Sequence, residues 1–352
     1  MGVVVGIDVA KEFHWAAALD RASGQVLVRR RVDNEPEAIA SLVAELEALG
    51  AERLVVGLDL VGGIAGLVTA MFQAAGIELV HVPGLAVARA RQATSGGENK
   101  SDPKDARVIA DQVRMRSDLR PIPAPEGEVD AELRLLAGRR RDLSTDQTRR
   151  LNRLRGLLCS IHPGLERKIV TNKLGLWMLA RYVTPAEIRR AGENRLRAHL
   201  LRASNLRRAQ IEELIVAALA SARAQRVAVP GERVAADLVR ELAREALAAR
   251  ERLAELDAEL SAALERHPDG ALILSLPGMG AVLTAEFIAE AGGIGRFPSA
   301  DQLAAASGLA PVLRQSGKVR YLQRARGGSR HLRRVFYQSA LSSLSHPASR
   351  RF

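Results

Sequence analysis

Hydrophobic and polar positions along the first 120 residues predict strands interleaved with helices. Short apolar runs bounded by turn residues are typical of strands, and apolar positions three and four apart are typical of helices. The strands are predicted at Val3–Val9, Phe13–Leu19, Val26–Val32, Arg53–Leu60 and Ile77–Val82, and the helices at Glu35–Leu49, at Ile64–Ala75 and from Ser101 onward. The first three strands form an antiparallel meander in this reading. The order indicates an α/β domain with a mixed sheet and helices on its faces.

The pattern changes after Pro121–Pro125, whose prolines predict a linker, and the rest of the chain is largely helical. One stretch alternates apolar spacings of three and four, at Val239, Leu242, Ala246, Ala249, Leu253, Leu256, Leu260 and Ala263. This seam fits a coiled coil or an ordinary long core helix, because the pattern does not identify its partner. We predict an α/β domain over 1–125, a helical and coiled-coil region over 126–266 and a mostly helical C-terminal domain over 267–352.

The composition is that of an ordinary globular protein, with 47% hydrophobic and 26% charged residues. The single cysteine, Cys159, excludes an internal disulfide framework and a cysteine-based zinc cluster, and we expect it to be a small buried side chain. No uncharged apolar run reaches the length of a membrane span, and the N-terminal sequence has neither a secretion signal nor a myristoylation motif. We therefore expect a cytoplasmic, nucleoid-associated protein with no membrane partner.

Positive charge is concentrated in two parts of the chain, whose net charge is +12. From Pro311 to Phe352 there are ten Lys and Arg residues and no Asp or Glu. A second run, Glu132–Arg155, has eight arginines against three acidic residues. Clustered arginine without compensating acid suits a phosphate backbone, although a solvated helix face gives the same pattern.

A tight turn adds a second candidate for nucleic-acid contact. In LPGMG, at 276–280, glycines precede a predicted helix, and backbone N–H groups at such a turn hold phosphate in helix-hairpin-helix elements. A turn of this kind also serves plain helix packing. The predicted nucleic-acid-binding residues are Arg314, Lys318, Arg320, Arg324, Arg326, Arg330, Arg333, Arg334, Gly278 and Gly280.

Four aspartates predict a metal site. Asp8 and Asp59 each follow an apolar strand, whereas Asp102 and Asp105 lie three apart at a helix start and share one face. Strand ends and helix starts converge at one rim of an α/β sheet, and carboxylates gathered there need cations, for which Mg²⁺ (or Mn²⁺) is suited. The alternative interpretation makes Asp8 a turn residue and Asp102 with Asp105 a helix-capping box.

A serine in the C-terminal part is a candidate nucleophile. Ser316 precedes Gly317, and Arg314, Lys318 and Arg320 lie close to it in the sequence. A hydroxyl attacks phosphorus only with assistance, and neighbouring cations stabilise the charge that develops. The alternative is a solvated Ser-Gly turn.

Several motifs together resemble the DEDD-type insertion-sequence transposases, also called bridge recombinases. They are GIDVAK at 6–11, VVGLDLVGG at 55–63, NKSDPKDARVIA at 99–110 and the C-terminal series LPGMG, FPSADQLAAASGLAP, SGK and GGSRHLRR. The resemblance covers both ends of the chain, in the right order and separation.

The resemblance implies a RuvC-like RNase H-fold domain, a coiled-coil middle and a C-terminal transposase domain. By position, Asp8, Asp102 and Asp105 match acidic motif members, Asp59 stands where the family usually has Glu, and Ser316 matches the serine nucleophile. The family acts on double-stranded target and donor DNA with a structured noncoding guide RNA. The resemblance and the heptad seam both suggest homodimers that assemble into a homotetramer.

The leading hypothesis is a DNA recombinase that moves its own element through a phosphoserine link, with metal held by the four aspartates. A first alternative is a RuvC-like nuclease that uses water as the nucleophile. A second is a catalytically inactive nucleic-acid-binding protein derived from a transposase, which would bind in a salt-sensitive way without cleaving.

Overall fold

The computed structural model separates the chain into two compact units, residues 1–126 and 127–352. Each unit is described by itself below. The structure describes residues 2–93, 99–122, 127–203, 207–325, 327–344 and 346–347. None of the helices within these ranges is long and apolar enough to cross a membrane.

The first unit is built on one six-stranded sheet. Its strands are β1 Gly2–Asp8, β2 Phe13–Asp20, β3 Val26–Asp33, β4 Arg53–Leu58, β5 Glu78–His81 and β6 Arg120–Pro121. They lie in the order β3-β2-β1-β4-β5-β6. The β1–β2, β2–β3 and β5–β6 pairs are antiparallel, and the β1–β4 and β4–β5 pairs are parallel. The predicted RNase H-like mixed sheet is therefore confirmed.

Helices cover both faces of this sheet, which is why its central strands are continuously apolar. The helices are α1 Pro36–Glu47, a 3₁₀ turn Gly63–Ala65, α2 Gly66–Ala74, α3 Gly84–Gln92 and α4 Asp102–Met115. Alternate residues of β1 point to opposite faces. Val3, Val5 and Ile7 pack in the core with α1 and α2, and Val4 packs in the core with α3 and α4. The helix α3 is absent from the predicted order of elements.

The predicted linker is wrong at its first residues. Pro121 pairs with Val80 at the sheet edge, and Ile122 is buried in the core with its N–H donating to the Leu79 carbonyl at 2.8 Å. A proline is tolerated on an edge strand, which explains why a proline-rich stretch still closes the sheet. Residues 123–125 of the predicted linker lie outside the described residues.

Helices dominate the second unit. They are α5 Gly127–Ile161, α6 Pro163–Glu166, α7 Lys173–Leu179, α8 Pro185–Leu200, α9 Arg208–Ala224, α10 Glu232–Arg266, α11 Gly270–Leu274, α12 Ala281–Ala291, α13 Ala300–Ser307 and α14 Arg330–Ser343. A hairpin of β7 Val312–Ser316 and β8 Val319–Gln323 lies between α13 and α14. Cys159 is exposed, contrary to the prediction, because it lies on the side of α5 away from Leu158 and Ile161.

The apolar seam of α10 packs mainly against α5 of the same chain. Six of its eight residues are buried, and Leu242 and Leu253 pack partly buried at its margins. The Gln147 side chain of α5 donates to the Ala246 carbonyl of α10 at 3.0 Å, and Arg150 pairs with Glu245 at 2.8 Å. The partner that the pattern left open is therefore found within the chain, so the seam is no evidence for a dimer.

One core joins the ends of the long helices to the C-terminal elements. Leu133 of α5 and Leu260 of α10 are buried together with Phe287 of α12 and Val335 of α14. This core spans the boundary predicted between residues 266 and 267. The position of α12 and α14 is consequently set by the two long helices.

Candidate acidic site and serine hairpin

Two aspartates lie side by side at the carboxyl edge of the sheet. Strands β1 and β4 are parallel and in register, with Ile7 opposite Leu58, so Asp8 and Asp59 both follow directly from paired residues. The backbone N–H of Val9 donates to Asp59 Oδ1 at 3.2 Å. This bond fixes the Asp59 carboxylate beside the end of β1.

The other two aspartates reach the same edge because α4 packs directly on β1. A Cβ atom on Gly6 would lie 2.1 Å from the Ala106 carbonyl oxygen and 2.3 Å from the Ala110 nitrogen, so only glycine permits this approach. Asp102 and Asp105 occupy the first turn of α4, and Asp105 is buried. The N-cap is Ser101, which makes no side-chain capping bond, so the alternative of an Asp102–Asp105 capping box is not supported.

An arginine that the sequence reasoning missed holds Asp105. Arg91 of α3 places Nη1 2.7 Å from each carboxylate oxygen of Asp105, and both side chains are largely buried. In sequence, Arg91 is separated from the acidic motif by a polar loop. The sequence shows only that Arg89 and Arg91 lie two residues apart, and this spacing does not indicate which residue either of them contacts.

The other three carboxylates act electrostatically on Asp8. Burial, and then repulsion by Asp59, Asp105 and Asp102, raises the pKa of Asp8 to about 7, against a lowering by Lys100. Burial also raises the pKa of Asp59, and the Val9 N–H partly offsets this. Within the described residues, no three His, Cys, Asp or Glu side chains are already arranged to hold a metal ion. The aspartates are thus gathered at one edge but not preassembled into a cage.

His81 is a second neighbour that the sequence reasoning missed. It ends β5, the third parallel strand, in register with Leu58. Burial raises the pKa of Asp59, and the electrostatic interaction with His81 acts in the opposite direction. The position of His81 near the aspartates could have been predicted from the sequence, because the carboxyl ends of parallel strands meet at one edge of the sheet.

The serine lies at the turn of an exposed hairpin. Ser316 pairs with Val319, and Gly317 between them has a φ of +56°. Paired residues of a hairpin point to the same face, and neighbours along a strand alternate. Arg314 and its pair Tyr321 therefore share the face of Ser316, whereas Arg320 points to the opposite face. Of the two arginines predicted around the serine, Arg314 is the one on its face, and Lys318 lies in the turn that follows Ser316.

The tight turn has two different glycines. Gly278 has a φ of +79°, and a Cβ atom there would lie 2.2 Å from the Ser339 carbonyl oxygen of α14. Its role in helix packing is thus visible. Gly280 is exposed and is the N-cap of α12, and a Cβ atom there would meet no other atom within 4 Å.

Many of the predicted basic residues already have partners. On α5, five of the eight arginines form ion pairs, namely Arg140, Arg141, Arg149, Arg150 and Arg155. On α14, Arg333 donates to the carbonyls of Ser307 and Gly327, and Arg334 pairs with buried Glu286. Arg324 and Arg330 are exposed, and Arg326 lies outside the described residues. The middle run is therefore largely neutralised within the chain.

Comparisons with known proteins agree in both halves of the chain. A transposase family model of the DEDD type from IS110 elements matches residues 5–163, and the model of the IS116/IS110/IS902 transposase family matches residues 270–352. Among solved structures, RuvC of Thermus thermophilus in complex with a Holliday junction substrate is similar at 18% identity. It covers 35% of this chain and 100% of its own, with a TM-score of 0.27.

Relatives of similar length match almost the whole chain. The 44.8 kDa protein of insertion element IS116 from Streptomyces clavuligerus is 40% identical over 99% of this chain and 86% of its own. The 42 kDa protein of IS900 from Mycobacterium paratuberculosis is 39% identical over 99% of this chain and 88% of its own. The chain therefore belongs to the IS116/IS110/IS902 family of transposases.

Proposed function

We propose that this transposase inserts and excises its element by cutting double-stranded DNA through a phosphoserine intermediate. In this proposal Ser316 is the nucleophile, and Asp8, Asp59, Asp102 and Asp105 hold Mg²⁺ or Mn²⁺. The observation that carries the proposal is the gathering of the four carboxylates at one sheet edge, where burial and mutual repulsion raise the pKa of Asp8. Such a group is stabilised by a divalent cation.

The serine step conserves a phosphodiester bond. Ser316 Oγ attacks the scissile phosphorus and loses its proton, while the bond from phosphorus to the leaving DNA oxygen breaks and that oxygen takes up a proton. The serine then carries the cut strand as an ester, and attack by a hydroxyl of another strand reverses the chemistry without ATP. Arg314, on the same hairpin face, is placed to stabilise the charge on the phosphate oxygens.

The acidic residues fit a hard divalent ion, because carboxylate oxygens are the donors that Mg²⁺ prefers. A bound ion would polarise the phosphate and stabilise negative charge in the transition state. Asp8 and Asp59 would hold it from the strand ends and Asp102 from α4. Asp105 would have to exchange or share its contact with Arg91, which now lies 2.7 Å from both of its oxygens.

The partners in this proposal are target and donor DNA and a structured noncoding guide RNA. The concentration of positive charge in the last 42 residues supports nucleic-acid binding, since this segment contains ten Lys and Arg residues and no Asp or Glu. The guide RNA, and the assembly of homodimers into a homotetramer, rest on the family resemblance alone.

The test is covalent capture of protein on DNA. Wild-type protein is incubated with Mg²⁺, RNA transcribed from the DNA that flanks the gene, and a nicked substrate that prevents religation. We expect an adduct on a denaturing gel for the wild type and for Ser342→Ala, a change at an exposed serine of α14. Ser316→Ala should give none.

Two other outcomes would replace the proposal. Normal cutting by Ser316→Ala without any adduct would identify a nuclease that uses water. Binding without cutting under Mg²⁺ or Mn²⁺, by the wild type as well, would identify a nucleic-acid-binding protein without catalysis.

A further inference from the structure

An open cavity of about 700 Å³ lies between the end of α13 and the exposed side of α14, where the serine hairpin begins and ends. Leu309 lines it three residues before β7, and Arg324 lines it directly after β8. Its volume lies in the range of small-molecule and nucleotide sites. The arginines that line it are predicted from the sequence to bind nucleic acid, but no sequence pattern indicates a cavity.

The position of the hairpin base beside this cavity is closely set. Gly308 has a φ of +68°, and a Cβ atom there would lie 2.2 Å from the Gly327 carbonyl oxygen. Arg333 donates to the carbonyls of Ser307 and Gly327, and so ties both ends of the hairpin to α14. The cavity and the hairpin that carries Ser316 are thus parts of one local structure.

The cavity wall is cationic. Four arginines contribute to it, and no carboxylate is among the residues that line it within the described chain. The charge of Arg334 is offset by Glu286. Arg333 donates to two neutral carbonyl oxygens in the bonds described above, which do not offset its charge. Among the described ion pairs, none joins Arg324 or Arg330 to an acid. Three guanidinium groups therefore offer positive charge to a phosphate.

The other wall is aromatic and apolar. Phe336 is fixed in an edge-to-face contact with Phe287, with ring centroids 5.9 Å apart. Tyr337 beside it is 65% exposed, and Leu309 is 48% exposed. The ring of Tyr337 is thus available to a ligand at the cavity wall.

We propose that this cavity binds one unpaired nucleotide of a nucleic acid, with its base against Tyr337 and its phosphate on Arg324 and Arg330. A base that is stacked and paired within a duplex cannot present its face to a side chain, so the site selects a nucleotide that has left the stack. The inference rests on the proposed function, because it requires a nucleic-acid substrate. It adds that a strand near the serine hairpin is held in an unpaired state.

The test measures affinity for two matched DNAs at one salt concentration. One is fully paired, and the other has the same sequence with a single unpaired 2-aminopurine, whose fluorescence reports stacking. We expect Tyr337→Ala to weaken binding of the unpaired DNA on the order of tenfold, leave the paired DNA unchanged and abolish the quenching of 2-aminopurine. Tyr337→Phe should retain wild-type affinity for both DNAs and the quenching of 2-aminopurine. The control Leu344→Ala, at the exposed C-cap residue of α14, should match the wild type.

The inference is overturned if Tyr337→Ala weakens both DNAs equally, or if quenching persists in that variant. Equal weakening would indicate contact with a duplex backbone, and no effect on either DNA would leave the cavity to a protein partner. The adduct assay on the same proteins separates the two proposals. An adduct that depends on Ser316, without discrimination by Tyr337, removes the nucleotide site alone, whereas discrimination without any adduct removes the phosphoserine step alone.

Discussion

The carboxylate of Asp8 is opposed by burial and by three neighbouring carboxylates, which together raise its pKa to about 7. A neutral amide of the same shape carries no such cost. We expect Asp8→Asn to raise the melting temperature in EDTA at pH 8 by a few degrees. A gain of roughly 1 kcal/mol in the free energy of unfolding raises the melting temperature of a domain by this amount. Added Mg²⁺ should then stabilise the wild type but not the variant, as measured by thermal unfolding.

The matched control is Asp20→Asn at the opposite end of the same sheet. The Asp20 carboxylate accepts bonds from the Ser23 N–H and hydroxyl, both at 2.7 Å, and these lower its pKa. This variant should gain no stability in EDTA and should keep the response to Mg²⁺. A wild-type melting temperature that ignores Mg²⁺ would argue against the metal site.

A buried histidine in the second unit makes the free energy of unfolding depend on pH, and the sign of this dependence can be derived. Burial lowers the pKa of His162 below 6.5, and its ring nitrogens contact the Val183 carbonyl at 3.0 Å and the Ser221 hydroxyl at 2.9 Å. As the pH falls below 6.5 the unfolded chain binds the proton first, so the free energy of unfolding decreases; above 6.5 this contribution is constant.

We expect His162→Gln to narrow the difference in unfolding free energy between pH 7.5 and pH 5, measured by urea titration at each pH. The control is His331→Gln, at an exposed histidine of α14. The quantity compared is the difference between wild type and variant, because carboxylates such as Asp8 contribute a pH dependence of the opposite sign.

The amino-acid sequence predicts the four aspartates at one edge of the sheet but not the residues that surround them. Asp8 and Asp59 were readable because each ends an apolar run, and parallel strands bring such ends together. Arg91 was not readable, because its contact with Asp105 depends on how α3 packs on α4. The candidate site could thus be predicted as a set of acids, but not as a set of acids already paired in part with an arginine.

Among the elements, α4 depends on a single glycine of β1. Gly6→Ala places a methyl group against the backbone of α4, so we expect a loss of about 1–3 kcal/mol in the free energy of unfolding of the first unit. Since α4 carries Asp102 and Asp105, stabilisation by Mg²⁺ should be lost as well. Urea unfolding with and without Mg²⁺ measures both effects.

Gly156→Ala is the control for this change. Gly156 lies within α5 with open space around it, so the variant should gain roughly 0.5–1 kcal/mol from helix propensity. A Gly6→Ala protein with wild-type stability and wild-type response to Mg²⁺ would show that α4 does not need this close approach.

The elements of the first unit were largely predictable from the sequence. For the second unit the sequence predicts helices, but not which helices pack together. Short apolar runs and the turn residues between them mark β1 to β5 well. Strand β6 was not predicted, because prolines at a sheet edge resemble a linker in sequence. The seam of α10 was read correctly as apolar, but a heptad pattern gives no information on which helix fills it. The arginines of α5 concealed that partner, since their acids lie far away in sequence, as Glu245 does for Arg150.

Over the whole molecule, charge predicts how binding of nucleic acid should respond to salt. Each phosphate contact contributes about −0.9 to the slope of log K against log salt concentration. We expect Arg330→Ala to reduce the magnitude of this slope by about 0.9, the contribution of one phosphate contact, because Arg330 is exposed and lines the cationic cavity. Anisotropy titrations of a DNA duplex carrying one unpaired nucleotide, at several salt concentrations, measure this slope.

Arg252→Ala is the matched control, since Arg252 is an exposed arginine whose charge is already met by Glu255 and Glu259. Its slope should equal that of the wild type. If both variants changed the slope equally, the positive charge would act as a diffuse field rather than through local contacts at the C-terminal cavity.

The packing of α5 against the apolar seam of α10 has a consequence for how copies of this transposase meet. The seam residues are buried within their own chain, so their burial contributes nothing to self-association. Any gathering of several copies then draws on other surfaces.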